Sequence, residues 1–110
     1  MITLTPAAAA KIREAAQEAG VDEPRIRVAA QRALDGEFQY AFGFDDLGVQ
    51  EHDFRFQSEG VEIVVSRDSM PLLDGATLDF VEIEPGDFRF IFLNPNDPSY
   101  VPPAEGGQGT

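Results

Sequence analysis

The sequence predicts a mainly β domain of the α+β class, and three observations carry that expectation. The first twenty residues are alanine-rich with apolar positions at helical spacing. From Arg25 onward apolar residues recur at every second position, and short clusters of Gly, Pro, Asp and Asn separate those runs. No linker divides residues 1–97, so they read as one domain, followed by a flexible Pro/Gly-rich C-terminal tail over 98–110.

Each element has a local reason. Thr5 is a capping residue, Pro6 suits the first helical position, and Ala7 to Ala10 are strong helix formers. Ile12, Ala15, Ala16 and Ala19 form the apolar stripe, and Gly20 ends it. A stripe made mostly of alanine packs closely on a sheet but shapes no cofactor pocket by itself.

After the turn Asp22-Glu23-Pro24, Arg25-Ile26-Arg27-Val28-Ala29 alternates as a half-buried strand does, and Leu34-Asp35-Gly36-Glu37 interrupts it. Phe38, Tyr40, Phe42 and Phe44 then fall at alternate positions, the strongest strand signal in the chain. Phe54-Arg55-Phe56 and Val61 to Val65 are two further strands around the turn Ser58-Glu59-Gly60. Ser66 to Leu73 reads as a short capped helix or helical turn ended by Asp74-Gly75. Leu78 to Ile83 and Phe88 to Leu93 are the last strands, and Asn94-Pro95-Asn96-Asp97-Pro98 breaks structure.

Composition removes whole classes of function. Eight Lys and Arg face 20 Asp and Glu, a net charge of −12. Nucleic-acid and anionic-membrane partners are therefore not expected, since both need cationic contacts and this chain has one lysine and scattered arginines. The absence of cysteine eliminates thiol nucleophiles, disulfides, zinc fingers and thiolate-held clusters together. His52 is the only histidine and belongs to no serine–histidine motif. The start lacks a basic stretch followed by an apolar core, so no secretory signal is read there and a cytoplasmic location is expected.

Among constellations that could carry chemistry, the ladder Phe38, Tyr40, Phe42, Phe44 could stack bases. Its flanks are Glu37, Asp45 and Asp46 rather than basic residues, so it reads as core packing. Asp45, Asp46, Glu51 and Asp53, with His52 among them, could ligate a hard cation. The spacing is not that of an EF-hand, and a solvated acidic loop is the expectation. Gly36, Gly43 and Gly48 form no phosphate-binding fingerprint, and pairs such as Asp79 and Glu82 or Glu82 and Glu84 read as the polar face of a strand. No catalytic residue is assigned.

Several local phrases resemble the HesB/IscA-like family, the A-type carriers of iron–sulfur cluster assembly. Ile2-Thr3-Leu4-Thr5 before the alanine-rich helix, Arg25-Ile26-Arg27-Val28, and Phe54 through Gly60-Val61-Glu62-Ile63-Val64-Val65 each resemble a family passage. Ser69-Met70-Pro71-Leu72-Leu73-Asp74-Gly75-Ala76-Thr77-Leu78-Asp79-Phe80-Val81 is the most telling. Phe88 to Leu93 with Asn94-Pro95-Asn96 is similar to the family's final strand and N-P-N. The resemblance implies a HesB-like β-sandwich of about seven short strands, an N-terminal α-helix and a second short helix near residues 66–74.

It also implies self-association, including homodimers, and a cluster held by three cysteines. Their positions fall near Asp35, Val101 and Pro103, none of them a thiolate. The expected function is therefore a cysteine-free accessory or protein-interaction module with an unidentified protein partner and no cofactor. The alternative is a carboxylate site for iron or another divalent metal, drawing on Asp35, Glu37, Asp45, Asp46, Asp53 and His52. An enzyme has the least support, because its only basis is an abundance of acids.

Overall fold

A computed structural model describes residues 1–46 and 48–100. In chain order the elements are β1 (Thr3–Leu4), α1 (Pro6–Ala19), β2 (Arg25–Arg32), β3 (Phe38–Phe44), β4 (Phe54–Ser58), β5 (Val61–Val65), α2 (Met70–Leu73), β6 (Thr77–Glu84) and β7 (Asp87–Leu93). The strands form two mixed sheets, one ordered β3-β2-β5-β4 and the other β1-β6-β7. Pairs β1–β6 and β2–β5 are parallel, and the remaining pairs are antiparallel. This is the mainly β, α+β sandwich with two helices that the sequence implies. Among the described residues no helix is long and apolar enough to cross a membrane.

Helix α1 begins where Thr5 Oγ1 accepts a hydrogen bond from Ala8 N at 3.1 Å. The same hydroxyl donates to Asp79 Oδ1 at 2.6 Å, so one side chain caps the helix and fastens it to β6. Its buried stripe is Ala8, Ala9, Ile12 and Ala16, shifted one turn toward the N-terminus from the expected one, which extended to the exposed Ala19. Alanines let the helix backbone approach the sheets closely, and α1 lies mainly against β6.

Ile2, Leu4, Ile12, Ile26, Val28, Val61, Ile63, Val65, Leu73 and Leu78 form the aliphatic half of the core. The other half is aromatic and spans the two sheets. Tyr40 stacks on Phe92 with centroids 4.4 Å apart, and Phe42 meets Phe90 edge-on at 4.9 Å. The aromatic ladder is a core face over only part of its length: Phe38 is buried, Tyr40 and Phe42 are half-buried, and Phe44 is 39% exposed. Phe44 lies at the end of β3, opposite Ile26, and is the least covered of the four.

Two boundaries differ from the reading of the sequence. Strand β2 continues three residues past Ala29, because the hairpin with β3 holds register from Ile26↔Phe44 to Arg32↔Phe38. Helix α2 occupies only Met70–Leu73, preceded by turns in which Ser69 N donates to Ser66 O. The Ser69 side chain does not cap that helix. Its buried Oγ bonds Ala30 N and Ala30 O, each at 3.2 Å, continuing the ladder on β2 where β5 has already ended.

Candidate functional site

Three neighbourhoods around β2 and β3 hold the residues singled out by sequence. The first is the tip of the β2–β3 hairpin. Ala33 N donates to Glu37 O at 2.8 Å and Gly36 N to Ala33 O at 2.9 Å, closing a turn in which Gly36 takes φ +90. Glycine occupies that left-handed region without the penalty other residues incur. Asp35 Oδ1 accepts from Glu37 N at 2.9 Å, so the carboxylate is engaged by its own loop. Beside it, the Leu34 side chain stands fully exposed.

The second neighbourhood fixes the path of the chain after β7. Asn94 is buried, and its Nδ2 donates to Leu72 O at 2.7 Å and to Tyr40 Oη at 3.3 Å. Tyr40 Oη donates to Asp97 Oδ2 at 2.6 Å, and Asp97 Oδ1 accepts from Ser99 N at 2.8 Å. Asn96 Nδ2 reaches Asp74 O at 2.8 Å. Burial first, and then the carboxylate it donates to, push the Tyr40 phenol up to about 12. The bond from Tyr40 holds the Asp97 carboxyl below its ordinary value.

The third is the segment joining β3 to β4, and here the expectation of a solvated acidic loop is corrected. The side chain of Asp45 is fully buried and that of Asp53 nearly so, with 5% exposed. Asp45 accepts from Arg25 Nε and from Arg27 Nε, both at 3.0 Å. Arg27 also grips Asp53 through two bonds of 2.8 and 3.1 Å and reaches Gly48 O at 3.1 Å. Hydrogen bonds from Arg27, then Gln50 N, hold the Asp53 carboxyl below its ordinary value, and the carboxylates of Asp53 and Asp45 keep Arg27 firmly protonated. Arginines at alternate positions of β2 therefore pull the acidic segment onto the outer face of the sheet. Val64 is buried yet belongs to that outer face, in register with Arg27 and Arg55.

These positions do not converge. Glu37 and Asp45 bracket β3, roughly 26 Å apart at the usual 3.3 Å per strand residue. Among the described residues no three His, Asp or Glu side chains gather as a set of metal ligands. Asp46 and His52 are exposed, while Asp45 and Asp53 are engaged by arginine. Val101 and Pro103 lie outside the described residues. The Tyr40–Asn94–Asp97 cluster and the arginine clamp were both missed by the sequence reading. Their only signals were Asn94-Pro95-Asn96-Asp97, read as a break, and the alternate arginines of β2, read as surface.

A protein-family model described as iron-sulphur cluster biosynthesis matches residues 1–99. The chain belongs to the iron-sulphur cluster biosynthesis family. Among relatives of this family member, a protein of Aquifex aeolicus is 39% identical over 96 residues, covering 84% of this chain and 78% of the relative. The iron-sulfur cluster insertion protein ErpA of Pseudomonas entomophila is 38% identical over 95 residues, covering 86% and 80%. The crystal structure of Escherichia coli SufA, involved in biosynthesis of iron-sulfur clusters, superposes with a TM-score of 0.70. It is 28% identical, and the match covers 94% of this chain and 89% of SufA. A crystal structure of IscA with the [2Fe-2S] cluster gives 0.68 at 28% identity, covering 86% of each chain.

The donor chemistry of this family member does not fit a thiolate-held cluster. Its 110 residues contain no cysteine, and the carboxylate at Asp35 is a hard oxygen donor already bonded to its own loop.

Proposed function

We propose that this chain serves iron–sulfur cluster assembly as a protein-binding, non-catalytic member of the family, working in the cytoplasm without holding a cluster itself. Residues 1–97 form its working domain and 98–110 its tail. The observation that supports this reading is a complete family fold in a chain with no cysteine. The three family cysteine positions fall near Asp35, Val101 and Pro103. The relatives bear the names of cluster insertion and assembly proteins, which supports a part in that pathway, while the missing thiolates set this chain's part in it apart. The exposed Leu34 at the hairpin tip suits contact with another protein better than an isolated role.

Reconstitution tests the negative half. Purified protein mixed with ferrous iron and sulfide under reducing conditions is expected to gain no stoichiometric visible chromophore. The triple variant Asp35→Cys, Val101→Cys, Pro103→Cys is expected to gain one. A stoichiometric chromophore on the unaltered chain would overturn the reading. For the positive half, native mass spectrometry of the chain mixed with a cysteine-bearing A-type carrier is expected to show a mixed complex.

A further inference from the structure

Strand β3 is the edge of its sheet. The flanking bonds, Ala33 N to Glu37 O and Asp45 N to Arg25 O, belong to the same antiparallel register as Arg27↔Gly43. Odd-numbered residues of β3 therefore exchange their bonds with β2. The N–H and C=O groups of Phe38, Tyr40, Phe42 and Phe44 point away from it, toward the open side. No described residue pairs with that side.

Exposed edges of this length are normally blunted by Lys or Arg, by Pro, by a bulge, or by brevity. The other edges follow that habit. Strand β1 has two residues, β4 has five and carries Arg55, and β7 carries Arg89 and pairs with β6 through a shifted register. Strand β3 has seven residues, Phe-Gln-Tyr-Ala-Phe-Gly-Phe, with no charge, no proline and no shift in register. Beside its C-terminal end lies an apolar groove of about 150 Å³ between Ile12, Ala15, Ile26, Phe42, Phe44 and Phe90.

We propose that the open edge of β3 is a strand-addition site for an extended, basic segment of a partner protein. Main-chain bonds to Phe38, Tyr40, Phe42 and Phe44 supply the register, and an apolar residue of the added strand enters the groove beside Phe44. Charge selects the occupant. Glu37 and Asp46 stand exposed at the two ends of the strand, and the whole chain carries −12. A second copy pairing antiparallel would bring Glu37 of each copy toward the exposed Asp46 of the other, between two like-charged molecules. Lysine or arginine at the ends of the added strand meets those acids instead. This site deepens the protein-binding reading above and rests on it.

The test uses a synthetic ten-residue peptide of alternating Val and Thr with lysines at both ends. Controls are the same peptide with glutamate for lysine, and one N-methylated on the amides that would face β3. At a peptide concentration ten times Kd, exchange of the Tyr40 and Phe42 amides is expected to slow about tenfold. The N-methylated and glutamate peptides are expected to leave it unchanged. Ala41 is exposed on the outer face, so Ala41→Lys places a blocking charge on the edge without touching the core; it should raise Kd at least about tenfold, and Ala41→Glu should lower it. Protection elsewhere, equal binding of the glutamate peptide, or edge protection that grows with the protein's own concentration would each overturn the proposal. If the edge amides stay unprotected while a mixed complex with a cysteine-bearing carrier still forms, the edge site falls and the broader reading stands. If neither is seen, both fall.

Discussion

Replacing Asp53 by asparagine should release the clamp that holds the β3–β4 segment against the sheet. The substitution keeps the shape and one acceptor oxygen but removes the charge that Arg27 grips at 2.8 and 3.1 Å, and it weakens the acceptor for Gln50 N at 2.7 Å. Breaking a buried ion pair by altering one partner costs about 3–5 kcal/mol. Arg27 keeps Asp45 Oδ1 at 3.0 Å and Gly48 O at 3.1 Å, and 19% of its side chain stays in water. The expected loss is therefore smaller, about 2 kcal/mol, with a fall in Tm of about 8–16 °C for a domain of this size. Urea unfolding of both proteins at neutral pH measures it.

The pH dependence supplies the internal control. The Asp53 carboxyl is held below its unfolded value, so its contribution is present above about pH 4 and is lost as pH falls through the folded value. The gap between the two proteins should close in acid. A loss under about 0.5 kcal/mol at neutral pH, the level of an exposed pair, would refute the claim that this segment is clamped by burial and charge.

Other expectations follow from single side chains. Tyr40→Phe removes the hydroxyl between Asp97 and Asn94 and should cost about 1–2 kcal/mol by urea unfolding. The Tyr40 phenol is raised to about 12, so its stabilising contribution is intact below the ordinary tyrosine value near 10 and lost between about 10 and 12. That alkaline decline should be shallower in Tyr40→Phe. Thr5→Ala removes both the α1 cap and the bond to Asp79, and a drop of about 1–2 kcal/mol is expected, largely recovered by Thr5→Ser. Gly36→Ala meets no atom within 4 Å but forces a side chain into φ +90, so about 1 kcal/mol should be lost with the fold unchanged by NMR.

Much of the fold was legible because its signals are local. The Thr5-Pro6 start and Gly20 stop of α1, the alternation in β3, β5, β6 and β7, and the turns at 84–86 and 94–98 all depend on neighbours within a few residues. What escaped depends on partners distant in sequence. Arg25 and Arg27 look like a solvated strand face until Asp45 and Asp53 are brought over them. Ser69 looks like a helix cap until Ala30 lies opposite it. Tyr40 reads as one more core aromatic because nothing near it in sequence announces Asp97, fifty-seven residues on. For function, the missing cysteines could be read from composition alone. The unblunted edge could not, since a strand's place in a sheet is a property of topology.

The pairing of β1 with β6, Thr3 opposite Thr77, has a consequence for synthesis. A ribosome releases the N-terminal strand first, yet that strand has no strand to pair with until more than seventy further residues have emerged. The same delay applies to β2, whose parallel partner β5 arrives some thirty-five residues later. The β2–β3 hairpin can close early on its own, so the nascent chain presents a lone two-stranded ribbon with an aromatic face before either sheet can be completed. Large sequence separation between contacting strands slows folding, and exposed strands invite misassociation while they wait. Moving β1 to the far end of the chain by circular permutation would keep its pairing with β6 available and reverse this order of events, at the loss of the ion pair between the Met1 ammonium and Asp74.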